Sequence, residues 1–318
     1  MTQIFVAGIT GCQGGAVAQL ALRSGWSVHG LARNPAAATA TALATQGVKL
    51  VAGDYDNTDA LNRSLAGCTA VFIVPSPVFT DLTAELRWAT AIVTAARSAG
   101  TVTSVVVSTS LGTEVFGDSD TSVFAQFMRY KRKVEVAVAS SGIKTWTILR
   151  PGNFMANYLT PKVAMYPGFR ETGVWTTGLL PDTQLPLVDE ADIAALTVAA
   201  IGDPARFHEQ TIGVASDVLT PGEIVAVLQE VLDENSGNSA HDQTNEKNIK
   251  RLKVAYLSDA ELEGIKQKNP VIVAAYFMMR DMIGLIDVDA ARNGHGMQMG
   301  TFRDYVHHHS ENVKATYR

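Results

Sequence analysis

The first residues in the chain with the types and spacing for chemistry form a glycine-rich turn, GITGCQGG, at residues 8–15. Glycine allows positive φ and lets a pyrophosphate approach the backbone without meeting a Cβ. The sequence predicts a short apolar strand at residues 4–7, before the turn, and an amphipathic helix after it. The start of such a helix offers unpaired N–H groups and the positive end of its dipole. A strand, a glycine turn and a helix in this order predict a binding site for a dinucleotide.

The predicted contacts of the diphosphate all lie within this turn: Gly8, Thr10, Gly11, Cys12, Gln13 and Gly14. Cys12 leaves two interpretations open, a redox-sensitive thiol or a small side chain that fits a tight turn. The other cysteine, Cys68, follows a predicted helix, and neither cysteine belongs to a cluster with metal-ligand spacing. We therefore expect no metal site, and a disulfide-based scaffold is implausible for a chain of this size.

A cationic residue follows the second predicted strand, residues 27–32. In sites for NAD, this strand usually ends in an acidic residue that binds the ribose hydroxyls. Here Arg33 stands at that end without an acid. A guanidinium can bind a 2′-phosphate through two hydrogen bonds and stack on adenine. The sequence therefore predicts NADP(H) as the cofactor, and a solvated surface arginine is the alternative.

The next two strand ends supply further predicted cofactor contacts. Asp54 follows the third strand and is expected to accept a hydrogen bond from the adenine amino group. Capping of the following helix belongs more naturally to Asn57 or Thr58. Pro75 and Ser76 follow the fourth strand and are expected to form a stiff wall beside a ribose, because proline restricts the backbone.

Hydroxyl groups follow the fifth predicted strand, residues 102–107. Ser108, Thr109 and Ser110 stand where the reacting end of a dinucleotide would lie. Ser108 and Ser110 are candidate catalytic residues, since their hydroxyls could bind a substrate carbonyl. The alternative is that these hydroxyls cap their own turn.

A cationic cluster at residues 128–133 lies on a predicted helix, residues 122–141. Most of this cluster is expected to be a solvated face. An inward-facing Lys131 would be different, because its ammonium could orient ribose hydroxyls or donate a proton. Lys131 is therefore a candidate for both cofactor binding and catalysis.

The sixth predicted strand, residues 145–149, also ends on the cofactor side. Pro151, Asn153 and Phe154 are the cofactor contacts predicted from this end. The predicted substrate contacts combine hydroxyl, amide and aromatic groups: Ser110, Phe154, Asn157 and Trp175. Packing in the core is the alternative for Trp175.

Several of these segments together resemble the NmrA-like family of atypical short-chain dehydrogenases and the related isoflavone-reductase-like group. The matching segments are GITGCQGG, ARNP, GDYDNTDAL, VVVSTS, the lysine helix with SGIKTWTILRPGNFMAN, and LVDEADIAALTVAAI. They follow one another in the family's order over most of residues 3–201. The resemblance implies a Rossmann domain that binds NADP(H) and a smaller C-terminal lobe that covers the substrate.

One position departs from the short-chain dehydrogenase pattern. These enzymes typically use a tyrosine as the acid, four residues before a lysine. Lys131 matches the lysine, but position 127 is phenylalanine, and Tyr130 falls on a different face of the helix. The isoflavone-reductase-like group also has a lysine without this tyrosine, so the resemblance still allows reduction. The NmrA-like group also includes regulators that bind the cofactor without turnover.

The pattern as a whole predicts an α/β protein, a Rossmann-type doubly wound parallel sheet with a smaller, mostly helical C-terminal substrate lobe. We expect the NADP-binding domain at residues 1–155 and the lobe at residues 156–318, with some later segments returning to the core. Residues 234–250 are polar and are predicted to form an exposed loop, and a helical pattern follows from residue 254.

Composition narrows the possible partners and location. The chain has 318 residues, 47% of them hydrophobic, and a net charge of −5, which gives no electrostatic basis for binding nucleic acid or an anionic membrane. The first predicted strand begins at once, so no signal peptide is expected. No apolar run reaches the roughly 18 residues that a membrane helix needs. We expect a cytoplasmic protein.

These observations lead to three functional hypotheses. The first is an NADP(H)-dependent reductase of a small apolar or aromatic molecule, with secondary metabolism as a setting. The second is a redox-sensing regulator that binds NADP(H) and a protein partner without turnover. The third is an isomerase or dehydratase on the same scaffold. The expected partners are a small-molecule substrate and either a second copy of the chain or a regulatory protein.

Overall fold

The computed structural model describes residues 1–75, 77–234 and 250–318. These residues form two compact units. The first contains Met1–Pro151 and Glu190–Gly213, and the second contains Gly152–Asp189 and Val214–Arg318. Residues 235–249, which hold most of the predicted polar loop, lie outside the described residues, as does Ser76.

The strands and helices alternate through the first half of the chain. The strands are β1 Gln3–Val6, β2 Ser27–Ala32, β3 Lys49–Ala52, β4 Ala70–Ile73, β5 Ser104–Ser108, β6 Thr145–Pro151, β7 Asn153–Phe154, β8 Val174–Thr177, β9 Leu185–Val188, β10 Gln210–Val214, β11 Asp217–Leu219 and β12 Lys253–Tyr256. The helices are α1 Cys12–Arg23, α2 Ala38–Thr45, α3 Thr58–Leu65, α4 Ala84–Ala99, α5 Val123–Ala139, α6 Phe169–Thr172, α7 Glu190–Gly202, α8 Pro204–Phe207, α9 Pro221–Glu234, α10 Asp259–Lys266, α11 Pro270–Asp281, α12 Val288–Asn293, α13 Phe302–His308 and α14 Ser310–Tyr317. Short 3₁₀ helices occupy Met155–Tyr158, Lys162–Met165 and Met282–Leu285.

A seven-stranded sheet organises the first unit. Within the described residues its order is β10-β6-β5-β4-β1-β2-β3. The pairs from β6 through β5, β4, β1 and β2 to β3 are all parallel. Every residue of β4 and β5 is buried, as expected for central strands that helices cover on both faces. This topology confirms the predicted Rossmann-type sheet. Because the strand order reverses between β1 and β4, ligands are expected at the carboxyl ends of these strands.

The second unit combines helices with two small sheets. Strand β9 pairs antiparallel with β11 and parallel with β7, and β8 pairs parallel with β12. Its interior is aromatic, with Tyr158, Phe169, Trp175, Phe302 and Tyr317 all buried. No helix in the described ranges is both long and apolar enough to span a membrane.

The helical pattern predicted from residue 254 begins too early. Residues 254–256 instead belong to β12, where Val254 lies opposite Trp175 in β8. This strand is only four residues long, and its apolar residues fit a helical period as well as an extended one. Pairing with a distant strand, rather than local periodicity, determines the conformation here.

The sequence also predicts the cap of α3 correctly. The helix begins at Thr58, and the side chain of Asn57 accepts a hydrogen bond from the backbone N–H of Ala60 at 2.9 Å. This bond satisfies one of the N–H groups that the first turn of a helix leaves without a partner.

We predict that Asn57→Ala lowers the free energy of unfolding by about 1 kcal/mol, because the Ala60 N–H loses its acceptor. Thr58→Ala is the matched control and should change it by less than about 0.5 kcal/mol, since this side chain is exposed. Urea unfolding of both variants measures the difference. Equal effects would contradict the assignment of the cap.

Candidate functional site

The glycine turn between β1 and α1 allows no side chain at two of its positions. Gly8 has a φ of +65°, a conformation that favours glycine. A Cβ on Gly14 would lie 2.2 Å from the carbonyl oxygen of Gly8. The N-cap residue of α1 is Gly11, which has no side chain with which to cap the helix. The turn thus has the tight backbone and the glycine N-cap that suit a phosphate site.

A tyrosine from another strand end contacts this turn. The backbone N–H of Gly8 donates a hydrogen bond to the Tyr55 hydroxyl oxygen at 2.5 Å. The Tyr55 ring meets Trp88 edge to face, with 5.8 Å between ring centroids. Burial raises the pKa of Tyr55, so the phenol is neutral at physiological pH. Tyr55 therefore links the glycine turn to the loop after β3 and to α4.

A cavity of about 890 Å³ opens at the carboxyl ends of β1, β2 and β3. Its volume lies within the ordinary range for small-molecule and cofactor sites, roughly 300–1,000 Å³. The cofactor contacts predicted from the sequence that line it are Gly8, Thr10, Gly11, Arg33 and Asp54. Its other walls include Tyr55, Asp56, Pro77, Val78 and Trp88. The structure thus brings the turn and the ends of β2 and β3 together around one space.

The charged side chains around this cavity differ in whether they have partners within the fold. Asp56 is ion-paired with Arg87, with 2.9 Å between Oδ1 and Nε, and accepts a hydrogen bond from the Trp88 indole N–H at 2.9 Å. The bonds from Arg87 and Trp88 lower the pKa of Asp56. Arg33 is exposed and makes no hydrogen bond or ion pair with any described residue. The Asp56 carboxylate thus already has Arg87 and Trp88 as partners, whereas the Arg33 guanidinium is available to bind an anion.

Other predicted cofactor contacts lie outside the lining of this cavity. Cys12, Gln13 and Gly14 form the first turn of α1. Pro75 is buried after β4, and Pro151 is the last residue of β6. Ser76 falls outside the described residues. Asp54 lines the cavity while its Oδ1 accepts from the Asp56 backbone N–H at 3.1 Å, so it also shapes the loop after β3.

The hydroxyls at and just after the end of β5 have hydrogen-bond partners within the first unit. Ser108 is buried, and its Oγ donates to Oε1 of Gln13 at 2.7 Å. The Oγ of Ser110 donates to the carbonyl of Leu111 at 3.0 Å, which is the local bonding expected of a turn. Thr109 donates to Glu135 at 2.7 Å. Ser108 therefore connects β5 to the helix of the glycine turn.

Lys131 points inward, as one of the sequence-based alternatives requires, and forms a buried ion pair. Its Nζ lies 2.9 Å and 3.3 Å from the two carboxylate oxygens of Glu85, in the first turn of α4. Lys131 is 9% exposed and Glu85 is 3% exposed. The same ammonium lies 4.8 Å from the ring centroid of Phe127, at the position where short-chain dehydrogenases have tyrosine.

A second buried carboxylate lies one turn further along α5. Glu135 accepts hydrogen bonds from Arg150 at 2.9 Å and 2.8 Å and from Thr109 and Arg132. Burial alone would raise the pKa of Glu135, but the bonds from Arg150 and Thr109 outweigh it and hold the pKa below its ordinary value. Glu135 therefore stays ionised and attaches α5 to β6.

The substrate contacts predicted in the second unit form part of its polar and aromatic interior. Asn153 donates to the Tyr158 hydroxyl at 2.7 Å and accepts from Asn157 at 2.9 Å. The ring centroid of Phe154 lies 5.3 Å from Nζ of Lys162. Trp175 is fully buried against Tyr158, which favours the core-packing alternative for this residue.

Sequence reasoning missed three residues of the first unit: Tyr55, Glu85 and Trp88. Tyr55 lies within the quoted GDYDNTDAL segment, yet its contact with Gly8 joins residues 47 positions apart. Glu85 lies four residues before Ala89 on the apolar face of α4, and a carboxylate on such a face is the signal that could have found it. Among the described residues, no group of three or more histidine, cysteine or carboxylate side chains is placed to hold a metal ion.

The parallel sheet, the glycine turn and the cavity at the strand ends define a Rossmann-type α/β protein. A family model described as the NmrA-like family matches residues 1–258. Because this match covers most of the chain, the protein belongs to the NmrA-like family.

Two similar proteins are reductases by name. The (4-alkanoyl-5-oxo-2,5-dihydrofuran-3-yl)methyl phosphate reductase of Streptomyces griseus is 34% identical over 230 residues, 72% of this chain and 73% of that protein. The NAD(P)H azoreductase of Xenophilus azovorans is 31% identical over 225 residues, 71% of this chain and 72% of that protein.

Solved structures show the same fold. An NADPH-dependent quinone oxidoreductase from Escherichia coli, complexed with NADPH, aligns with a TM-score of 0.68 at 23% identity, covering 96% of this chain and 99% of that one. NmrA, a negative transcriptional regulator in complex with NADP, aligns with a TM-score of 0.64 at 18% identity, covering 100% and 92%. At these identities the likeness establishes the fold alone.

We predict that Tyr55→Phe lowers the free energy of unfolding by about 1–3 kcal/mol, because the Gly8 N–H loses its acceptor while the ring contact with Trp88 remains. Tyr130→Phe is the control, since the Tyr130 hydroxyl forms no hydrogen bond with a described residue. Urea unfolding compares the two. A loss for Tyr55→Phe no larger than the control's would show that this bond contributes nothing.

Proposed function

We propose that this protein is an NADP(H)-dependent reductase of a small apolar or aromatic organic molecule. The observation that carries the proposal is the cavity beside the glycine turn, with Arg33 rather than an acid at the end of β2. The names of the related reductases support a reaction of this class.

The residues present fit a dinucleotide. A Cβ on Gly14 would overlap the backbone of Gly8, so α1 lies directly against the turn, and its N-cap residue, Gly11, has no side chain. These features suit a diphosphate. Arg33 suits a 2′-phosphate, since a guanidinium can bind a phosphate through two charge-assisted hydrogen bonds. Asp54 is assigned to the adenine side, where it lines the same cavity.

We predict that Arg33→Ala weakens NADPH binding about 10- to 100-fold. Hydrogen bonds to charged groups contribute about 1.5–3 kcal/mol, and each 1.4 kcal/mol is tenfold in Kd. Affinity for NADH, which lacks the 2′-phosphate, should change by less than about threefold by the same reasoning. Arg23→Ala, at the far end of α1, is the charge-matched control. Isothermal titration calorimetry of the wild type and both variants with each cofactor measures the six affinities, and a parallel loss for NADPH and NADH in Arg33→Ala would refute the assignment of Arg33.

The proposed chemistry divides between the cofactor and the chain. When bound, NADPH would supply a hydride to an electrophilic carbon or azo nitrogen of the substrate. Lys131 would give a proton from Nζ to the substrate oxygen or nitrogen that gains charge, which leaves a neutral amine beside Glu85. Water then returns a proton to this amine. Lys131 takes this role because Phe127 occupies the position of the usual tyrosine and cannot donate a proton.

The remaining predicted contacts keep supporting roles in this proposal. Ser108 and Ser110 would stabilise charge on the substrate by hydrogen bonding. Asn153, Phe154, Asn157 and Trp175 stay predictions for cofactor or substrate contact, and the cytoplasmic location stays a prediction as well.

A regulator that binds NADP(H) without turnover is the second candidate. The fold shared with NmrA and the replacement of the usual tyrosine by Phe127 favour it. A regulator would bind NADP⁺ and NADPH with unequal affinity and would consume neither. An isomerase or dehydratase would convert its substrate with no net change in the cofactor.

We predict that the purified protein oxidises NADPH in the presence of at least one quinone, enone, imine or azo compound. Lys131→Met should lower kcat about 10²- to 10⁴-fold, the usual contribution of a general acid, with NADPH still bound. Absorbance at the NADPH band measures turnover, and calorimetry measures binding. Binding without turnover across the panel would favour the regulator, whereas full turnover by Lys131→Met would remove Lys131 from the mechanism.

A further inference from the structure

The inference concerns Glu85, which contacts the ammonium of Lys131 with both carboxylate oxygens. A lysine ammonium has three N–H donors, and Glu85 accepts at most two of them. Among the described residues, Nζ donates hydrogen bonds to Glu85 alone. At least one N–H therefore has no hydrogen-bond acceptor among the described residues and can donate to a ligand.

The position of Lys131 along α5 places it near the ligand edge of the sheet. Glu135 on α5 contacts Thr109, the first residue after β5 ends. Lys131 lies one helical turn before Glu135, on the same face. Because a helix that follows a parallel strand runs back along it, the turn before Glu135 lies beyond the carboxyl end of β5. Ligands bind beyond the carboxyl ends in open sheets of this type.

Stability alone does not account for this ion pair. Burying two charges costs free energy that their attraction often fails to recover, and apolar residues of similar size commonly replace such pairs without loss. The face of α4 that carries Glu85 is otherwise apolar, with Ala89, Ile92, Val93 and Ala96. Glu135, in contrast, has several donors and joins α5 to β6.

We propose that Glu85 is a positioning residue that orients the Lys131 ammonium so that its remaining N–H faces the substrate atom that accepts the proton. This inference rests on the proposed reductase function. Glu85 contacts neither substrate nor cofactor in this proposal and acts only through Lys131.

The test compares Glu85→Gln with Glu135→Gln in the full-length protein, with NADPH and the best acceptor of the panel. Glu85→Gln keeps the shape of the side chain and removes its charge. We expect kcat to fall about 10- to 100-fold, the scale of a misplaced catalytic group, while the Kd for NADPH changes less than about threefold. Glu135→Gln removes an equally buried carboxylate and should lower the unfolding temperature while kcat stays within about threefold of the wild type.

The kcat of the double variant Glu85→Gln with Lys131→Met distinguishes a positioning role of Glu85 from a structural one. If Glu85 acts through Lys131, the double variant should be no slower than Lys131→Met alone, since effects within one unit are not additive. Multiplied losses would overturn the inference. Unchanged kcat for Glu85→Gln, or an equal loss for Glu135→Gln, would also overturn it and leave the reductase function standing. Failure of the wild type to consume NADPH would instead reject the function, and the inference with it.

Should Glu85→Gln fail to fold, the charge-swapped pair Glu85→Lys with Lys131→Glu separates the two roles. It keeps opposite charges between α4 and α5, so a merely structural pair would retain both NADPH binding and turnover. A positioning pair would retain NADPH binding and lose turnover, because the ammonium now starts from α4. Full turnover in the swapped variant would contradict the proposal.

Discussion

The approach of α1 to the end of β1 is the constraint on which the first unit depends. Gly14 lies so close to the Gly8 carbonyl that any Cβ there would overlap a backbone oxygen. This contact brings the amino end of the helix to the point where the strand order reverses, and ligands of doubly wound sheets bind at that point. The same position lets Gln13 accept a hydrogen bond from Ser108 on the next strand but one. The missing side chain at Gly14 therefore allows the close packing of α1 on β1 from which Gln13 reaches the end of β5.

The buried face of α5 carries two ion pairs that extend to different elements. Lys131 reaches Glu85 on α4, and Glu135 reaches Arg150 on β6. Each carboxylate is almost completely buried, so each requires its cation. Within the part of the chain that the structure describes, only the carboxylate of the second pair accepts from further donors, Thr109 and Arg132. The two pairs are similarly buried, but they differ in how many hydrogen bonds the described residues make to them.

The sequence predicts those parts of the site that local patterns determine. The spacing of the glycines predicts the turn and the strand before it. The absence of an acid after the second strand singles out Arg33. The partners of Lys131 and Ser108 were not, because they lie 46 and 95 residues away along the chain. Residues 254–256 were predicted wrongly as helical, since pairing with β8 overrides a pattern that fits either conformation. Tyr55 stands within the GDYDNTDAL segment, but local sequence does not predict its bond to Gly8, because that bond forms only where the ends of β1 and β3 come together.

The bond from Gly8 to Tyr55 has a consequence for redesign of the cofactor preference. Swapping the loop after β3 for one from an NAD-dependent relative is an obvious route, because Asp54 and Asp56 of this loop line the cavity. Tyr55 lies between them and supplies the acceptor for the first glycine of the turn. A transplanted loop without a tyrosine at this place would remove the acceptor of the Gly8 N–H and so disturb the glycine turn as well as the cavity wall. Substitution at Arg33 alone leaves that support intact and is the cleaner starting point for such engineering.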